Sequence, residues 1–215
     1  MSFADPSSHQ VIQRLQYGTS ESERLSAPDT MFAQTGRRLY LLGDIDGQFR
    51  PRSNPYDLHS LGRPHPDDPL AEKLQGVWAQ PVKGLTRYGF LLEVNGQPWR
   101  LEHAETFTQA FAFVEFQYHR GDLLARRKDF VALDLPILFS IVTLVNESMS
   151  TLDVALVFEV QFDLQDAWFT SLAPQRNIGQ SLTFEQGRLI ARANILPEQW
   201  AVVVGSLDAD RKSVV

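Results

Sequence analysis

The chain has 215 residues, 43% of them hydrophobic and 21% charged, which suits a soluble globular protein with a sizeable core. A net charge of −6 argues against a nucleic-acid partner, which calls for clustered Lys and Arg, and gives no attraction to an anionic membrane. The absence of cysteine excludes disulfides, thiolate metal sites and a cysteine nucleophile.

The opening "MSFADPSSHQ" lacks the basic start and apolar run of a signal peptide, and the longest apolar run, "LPILFSIVTLV", is too short to cross a bilayer. A cytoplasmic protein is expected. Residues 1–36 are polar and rich in Ser, Gln and Glu, and read as a flexible N-terminal arm. Within it, "HQVIQRLQ" can form a short helix with Val11, Ile12 and Leu15 on one face. One domain is expected over 37–215.

Order is expected to begin at "RLYLLGDIDGQF", where an apolar run meets Asp46-Gly47, a tight-turn dipeptide, and resumes at Phe49. The next stretch, "RPRSNPYDLHSLGRPHPDDP", carries five prolines and reads as a long surface loop. From Gly76 onward the pattern is β. "YGFLLEVNGQPWRLE" is two strands about Asn95-Gly96, and "TFTQAFAFVEFQYHRGDLLARRKDFVAL" turns at His119-Arg120-Gly121-Asp122.

"ILFSIVTLV" is apolar on nearly both faces, as a strand in the middle of a sandwich would be. After the polar turn "NESMS", "TLDVALVFEVQF" alternates, with Leu152, Val154, Leu156, Phe158, Val160 and Phe162 on one side and Asp153, Glu159 and Gln161 on the other. Short strands follow at "SLTFEQG", "RLIARANI" and "WAVVVGSL". The end at "DADRKSVV", soon after an apolar strand, fits a chain cut from something longer.

Several constellations have competing readings. Asp44 and Asp46 resemble paired carboxylates, but a calcium loop needs further oxygen ligands and a bidentate Glu, so a hairpin turn accounts for them. His59, His65, Asp67 and Asp68 cluster in the proline-rich loop, where no regular element fixes ligand geometry. No metal or other cofactor is expected. Arg126, Arg127 and Lys128 read as a solvated basic cluster protecting an edge strand. Glu102, Glu105 and Glu115 read as the wet face of a sheet. A paired acid and base would need His103 or His119 tied to a glutamate, and no motif ties them. Trp78, Trp99, Trp168 and Trp200 all fall at strand ends or turns, where an indole face can stack on a sugar ring or cap a core.

In order, "RLYLLGDIDGQF", "GVWAQPVKGLTRYGFLLEVNGQPW", "LLARRKDFVALDLPILFSIVTLVNES" and "VALVFEVQFDLQDAW" resemble the N-terminal β-sandwich of bacterial glycogen-debranching-enzyme-like glycoside hydrolases. The resemblance spans about residues 38–205. It rests on a Trp-x-x-Pro-x-Lys stretch (Trp78, Pro81, Lys83), an Arg–Asp-Phe stretch (Arg127, Asp129, Phe130), a strand ending in Asn146, and Trp168. Gly84 and Thr86 depart from it, standing where a more apolar or acidic turn is expected.

In that family the sandwich precedes an (α/α)6 barrel that carries the catalytic carboxylates, and this chain has no such barrel. The resemblance therefore implies an all-β fold, an antiparallel two-sheet sandwich of the galactose-mutarotase-like supersandwich type. It implies an accessory role in place of hydrolysis by these residues. The partners it implies are an α-glucan or other oligosaccharide and the missing barrel, with a homodimer through the uncovered face as a further option. Trp78, Trp99, Trp168 and Trp200 are then the candidate carbohydrate-binding residues. A free-standing carbohydrate-binding module and a mutarotase-like sugar epimerase are the alternatives.

Overall fold

A computed structural model describes residues 13–16, 31–49, 75–79, 82–166, 180–193 and 200–206. Among them every regular element is a strand, and the registered strand pairs are antiparallel. The chain divides into two compact units, the first holding residues 1–50 and 88–159 and the second residues 51–87 and 160–215. The strands form three sheets where two were expected. One has five strands and lies in the first unit, and one has three strands and lies in the second.

In the first unit, β1 (Gln13–Gln16), β7 (Thr106–Gln109), β8 (Val114–Arg120), β9 (Leu123–Val131) and β10 (Leu138–Asn146) form the five-stranded sheet in that order. The helix expected over "HQVIQRLQ" is thus a strand at Gln13–Gln16, registered against Gln109–Thr106. Pairing with β7 supplies hydrogen bonds to a neighbour, which a segment too short for an isolated helix lacks.

Facing this sheet are the hairpin of β2 (Met31–Thr35) and β3 (Tyr40–Asp44) and the last part of β5 (Val82–Val94), which pairs with β6 (Gln97–Arg100). β2 lies inside the stretch read as an arm. It is tied in because Phe32 and Gln34 alternate inward, and Phe32 packs 5.7 Å from Phe107 and 5.6 Å from Phe116, ring centre to centre. Leu41, Leu92, Leu101, Val114 and Ala125 complete this buried layer.

The turns follow sequence chemistry. Asn95 and Gly96 both take positive φ, 49° and 75°, the two-residue turn that matches strand twist. Gly121 alone does so between β8 and β9, at 59°. At Asp46-Gly47 the turn forms with Gly47 at φ 89°, and the Asp44 N–H donates to the Gln48 carbonyl. β3 pairs with β2, so the strand partner lies upstream of this turn.

β10 departs from expectation. It is not flanked on both sides: its only registered neighbour among the described residues is β9, and it ends the five-stranded sheet. The sequence of a strand buried between layers and that of an unprotected edge strand look alike, because both are apolar on both faces.

In the second unit, Gly76–Ala79 (β4) pairs with the start of β5, with an irregularity between Val77 and Trp78. Gly76, at φ 124°, sits where a Cβ would lie 2.1 Å from the Leu85 carbonyl oxygen, so only glycine fits the corner. β12 (Gln180–Glu185), β13 (Arg188–Ala193) and β14 (Ala201–Gly205) form the three-stranded sheet. Val82, Leu164, Ala191 and Ala193 make a small core, lined by Phe162, Trp200 and Val202. Leu164 and Phe162 come from β11 (Val154–Asp166), which, like β5, contributes to both units. Gly84 lies close against the three-stranded sheet: a Cβ there would come 2.9 Å from the Val202 side chain.

Candidate functional site

None of the three described tryptophans is fully exposed. Trp78 is 2% exposed, with the ammonium of the fully buried Lys83 5.4 Å from its ring centre, so its indole is closed to a ligand. This corrects its candidacy for sugar stacking. The corner's geometry turns both side chains inward. Trp200 packs against the small core of the second unit, and Trp99 is half-buried on β6. Trp168 lies outside the described residues, as do His59, His65, Asp67 and Asp68. Among the described residues no group of three or more His, Asp or Glu side chains is placed to hold a metal.

The basic cluster is not a solvated edge either. β9 lies between β8 and β10, and its alternation sends Arg127 into the core while Arg126 and Lys128 face out. Arg127 and Asp129 are wholly buried and paired, Nη2 to Oδ2 at 2.6 Å and Nε to Oδ2 at 2.9 Å. The guanidinium carbon lies 4.7 Å from the Tyr88 ring centre and 4.9 Å from that of Phe116, and Nη1 donates to the Gly47 carbonyl at 2.9 Å. Asp129 also accepts from the Tyr88 hydroxyl at 2.8 Å and from Ser140 of β10.

Burial works against the Arg127 charge most strongly, but Asp129, Tyr88 and Tyr118 around it together outweigh that and hold its pKa well above the usual value. Burial first, then Asp129, raises Tyr88 well above the ordinary tyrosine range, and burial raises Tyr118 as well. These groups tie β5, β8, β9, β10 and the turn after β3 together, and Arg127, Asp129, Tyr88 and Phe116 are buried away from solvent.

Two histidine contacts lie on the surface of this unit. His119 Nδ1 is 2.9 Å from Glu105 Oε2, both partly exposed, and His103 Nδ1 is 3.5 Å from Asp46 Oδ2. Sequence spacing tied neither pair, because the first forms only when the chain before β7 comes alongside β8. Glu115 meets Lys128 at 3.1 Å, so two of the three candidate glutamates, Glu105 and Glu115, have basic partners, and Glu102 is exposed.

The larger feature is apolar. On one face of the β9–β10 pair, Phe130, Phe139 and Val145 are half-buried and Ile141 is exposed, while Leu124, across from Val145, is buried. The rings of Phe130 and Phe139 stack at 4.8 Å, and Ile141 is 51% exposed. On the other face of β10 Leu144 is 36% exposed, and the approach to the strand leaves Leu133, Leu135 and Ile137 in solvent. β11 adds Leu156, Val157 and Phe158 to the exposed apolar residues of this unit. β10 has no charged residue in its nine positions. Exposed edge strands ordinarily carry a lysine, a proline or a bulge that discourages pairing. A long, uncharged edge with apolar groups on both faces leaves backbone groups and side chains open to pairing with a further strand or surface.

No protein-family model, curated protein or solved structure matches the chain. Among the described residues no helix is long and apolar enough to cross a membrane.

Proposed function

We propose that this chain is a non-catalytic domain of a carbohydrate-active enzyme of the glycogen-debranching type. In this reading it is a sandwich of the galactose-mutarotase-like supersandwich kind, packed against an (α/α)6 catalytic barrel and helping to shape an α-glucan cleft. The observation that supports docking is the uncharged, apolar β10 edge with its outer face of Phe130, Phe139 and Ile141. The family resemblance supplies the identity of the partner.

The test is sedimentation velocity of the full chain mixed with the isolated barrel of a bacterial glycogen-debranching enzyme. A heavier boundary that is lost with Ile141→Lys is expected. No heavier boundary at tens of micromolar would contradict docking.

One observation favours a second reading, a mutarotase-like epimerase. The His119–Glu105 pair has the residue types such chemistry uses, at hydrogen-bond distance. Under that reading the chain speeds the interconversion of glucose anomers, and His119→Ala removes the effect. A free-standing binding module that uses its tryptophans is disfavoured by the burial of Trp78.

A further inference from the structure

At the turn end of the first unit three connections meet: the β5–β6 turn, the β8–β9 turn and the loop from β10 to β11. They enclose a cleft of about 280 Å³ lined by Val94, Asn95, Gln97, Arg120, Asp122, Leu123, Ser148 and Leu152. Leu123 is buried and Val94 and Leu152 are half-buried, which gives an apolar floor, while Asn95, Gln97, Arg120 and Asp122 form an exposed polar rim.

The rim is tied together by its own hydrogen bonds. The Asn95 N–H donates to the Asp153 carbonyl at 2.8 Å, and the Asp153 N–H donates back to Asn95 Oδ1 at 3.0 Å. The Glu147 N–H donates to the Asp122 carbonyl at 2.8 Å, and Arg120 Nη1 to the Pro98 carbonyl at 2.9 Å. Asn146 closes the loop beyond β10, its Oδ1 accepting from the Ser148 hydroxyl at 2.7 Å and its Nδ2 donating to the Ser150 carbonyl at 2.7 Å. Loops held this way lose little freedom when a ligand arrives.

The hydrogen-bonding groups left over are specific in kind. Among the described residues, the Asp122 carboxylate and the Gln97 amide make no side-chain bond, Arg120 uses one nitrogen of three, and the Asn95 amide nitrogen makes none. A carboxylate accepts two neighbouring hydroxyl protons at once, and guanidinium and amide groups donate to hydroxyl oxygens. With an apolar floor for C–H groups, this set matches a ring bearing adjacent hydroxyls. The volume falls just short of the usual range of ligand pockets and suits one ring, not a stretch of chain.

We propose that this cleft binds a single pyranose ring through a vicinal diol, with Asp122 as the acceptor and Arg120, Asn95 and Gln97 as donors. The proposal rests on the functional reading above for its choice of ligand, an α-glucan end. The geometry asks only for a cyclic diol.

The experiment is a titration of the uniformly ¹⁵N-labelled full chain, followed by amide chemical shifts, with maltose and separately with myo-inositol. Saturable shifts at Asn95, Gly96, Gly121, Asp122 and Ser148 are expected with maltose. Asp122→Asn should weaken binding at least tenfold with the rest of the spectrum unchanged. Shifts at these residues with myo-inositol but not maltose would keep the diol cleft and count against the α-glucan reading. Maltose shifts confined to other residues would overturn the cleft and leave that reading standing. No saturable shift with either probe, or unchanged affinity in Asp122→Asn, would also overturn the cleft.

Discussion

Arg127 shows how a single buried charge organises the first unit. Its fully buried side chain reaches Asp129, the Gly47 carbonyl and the faces of Tyr88 and Phe116. Replacing it with methionine keeps volume but strands the Asp129 carboxylate in the core. Arg127→Met should therefore cost about 3–5 kcal/mol, measured by urea denaturation. Gly47 illustrates the opposite kind of constraint. Its φ is 89°, and a Cβ there would come within 2.1 Å of the Tyr118 hydroxyl oxygen. Gly47→Ala should destabilise by about 1–3 kcal/mol from backbone strain and that overlap. The Tyr118 hydroxyl is buried without a well-formed hydrogen bond, so Tyr118→Phe alone should cost little or stabilise. Combined with Gly47→Ala, it should recover the part due to overlap and leave the part due to φ. A double-mutant cycle that shows no coupling would contradict this packing.

Elements were legible where local chemistry decides them and illegible where neighbours do. Asn95-Gly96 announced its hairpin because few other dipeptides accept two positive φ angles. The inward face of β8, with Val114, Phe116 and Tyr118, follows from alternation. The sequence could not say whether "RRKDF" meets water, since three consecutive cations read as surface until β9 is found between two strands. Nor could it say that β10 ends its sheet. His119 and Glu105 meet through strand register, which no spacing rule encodes. Trp78 is buried and Trp200 packs half-buried against the small core of the second unit for the same reason, because a strand-end position does not fix which way a ring turns. For β10 the consequence is testable. Ile141 is half in solvent, so Ile141→Lys should leave unfolding stability within about 0.5 kcal/mol of the parent. It should also raise the concentration at which light scattering detects self-association. A large loss of stability would mean that Ile141 supports the fold itself.

For the whole molecule, two buried tyrosines couple stability to alkaline pH. Both have folded-state pKa values raised above the ordinary 10, so the unfolded chain gives up these protons first. Their contribution is intact below pH 10 and is lost as pH rises above it, at up to about 1.4 kcal/mol per pH unit for each tyrosine. Tyr118→Phe should reduce that slope by one tyrosine's share, which denaturant titrations between pH 9.5 and 11 would show. At this scale the fold and the proposed docking surface belong to one picture. A β-domain closes its core around Arg127 and leaves one uncharged edge open, with a polar, hydrogen-bonded cleft at the turn end. The central claim is that this domain serves an α-glucan enzyme. The measurement that tests it most directly is affinity electrophoresis of the full chain through gels with and without glycogen. The account predicts retardation in the glycogen gel, reduced by Asp122→Asn, and equal mobility in both gels would contradict it.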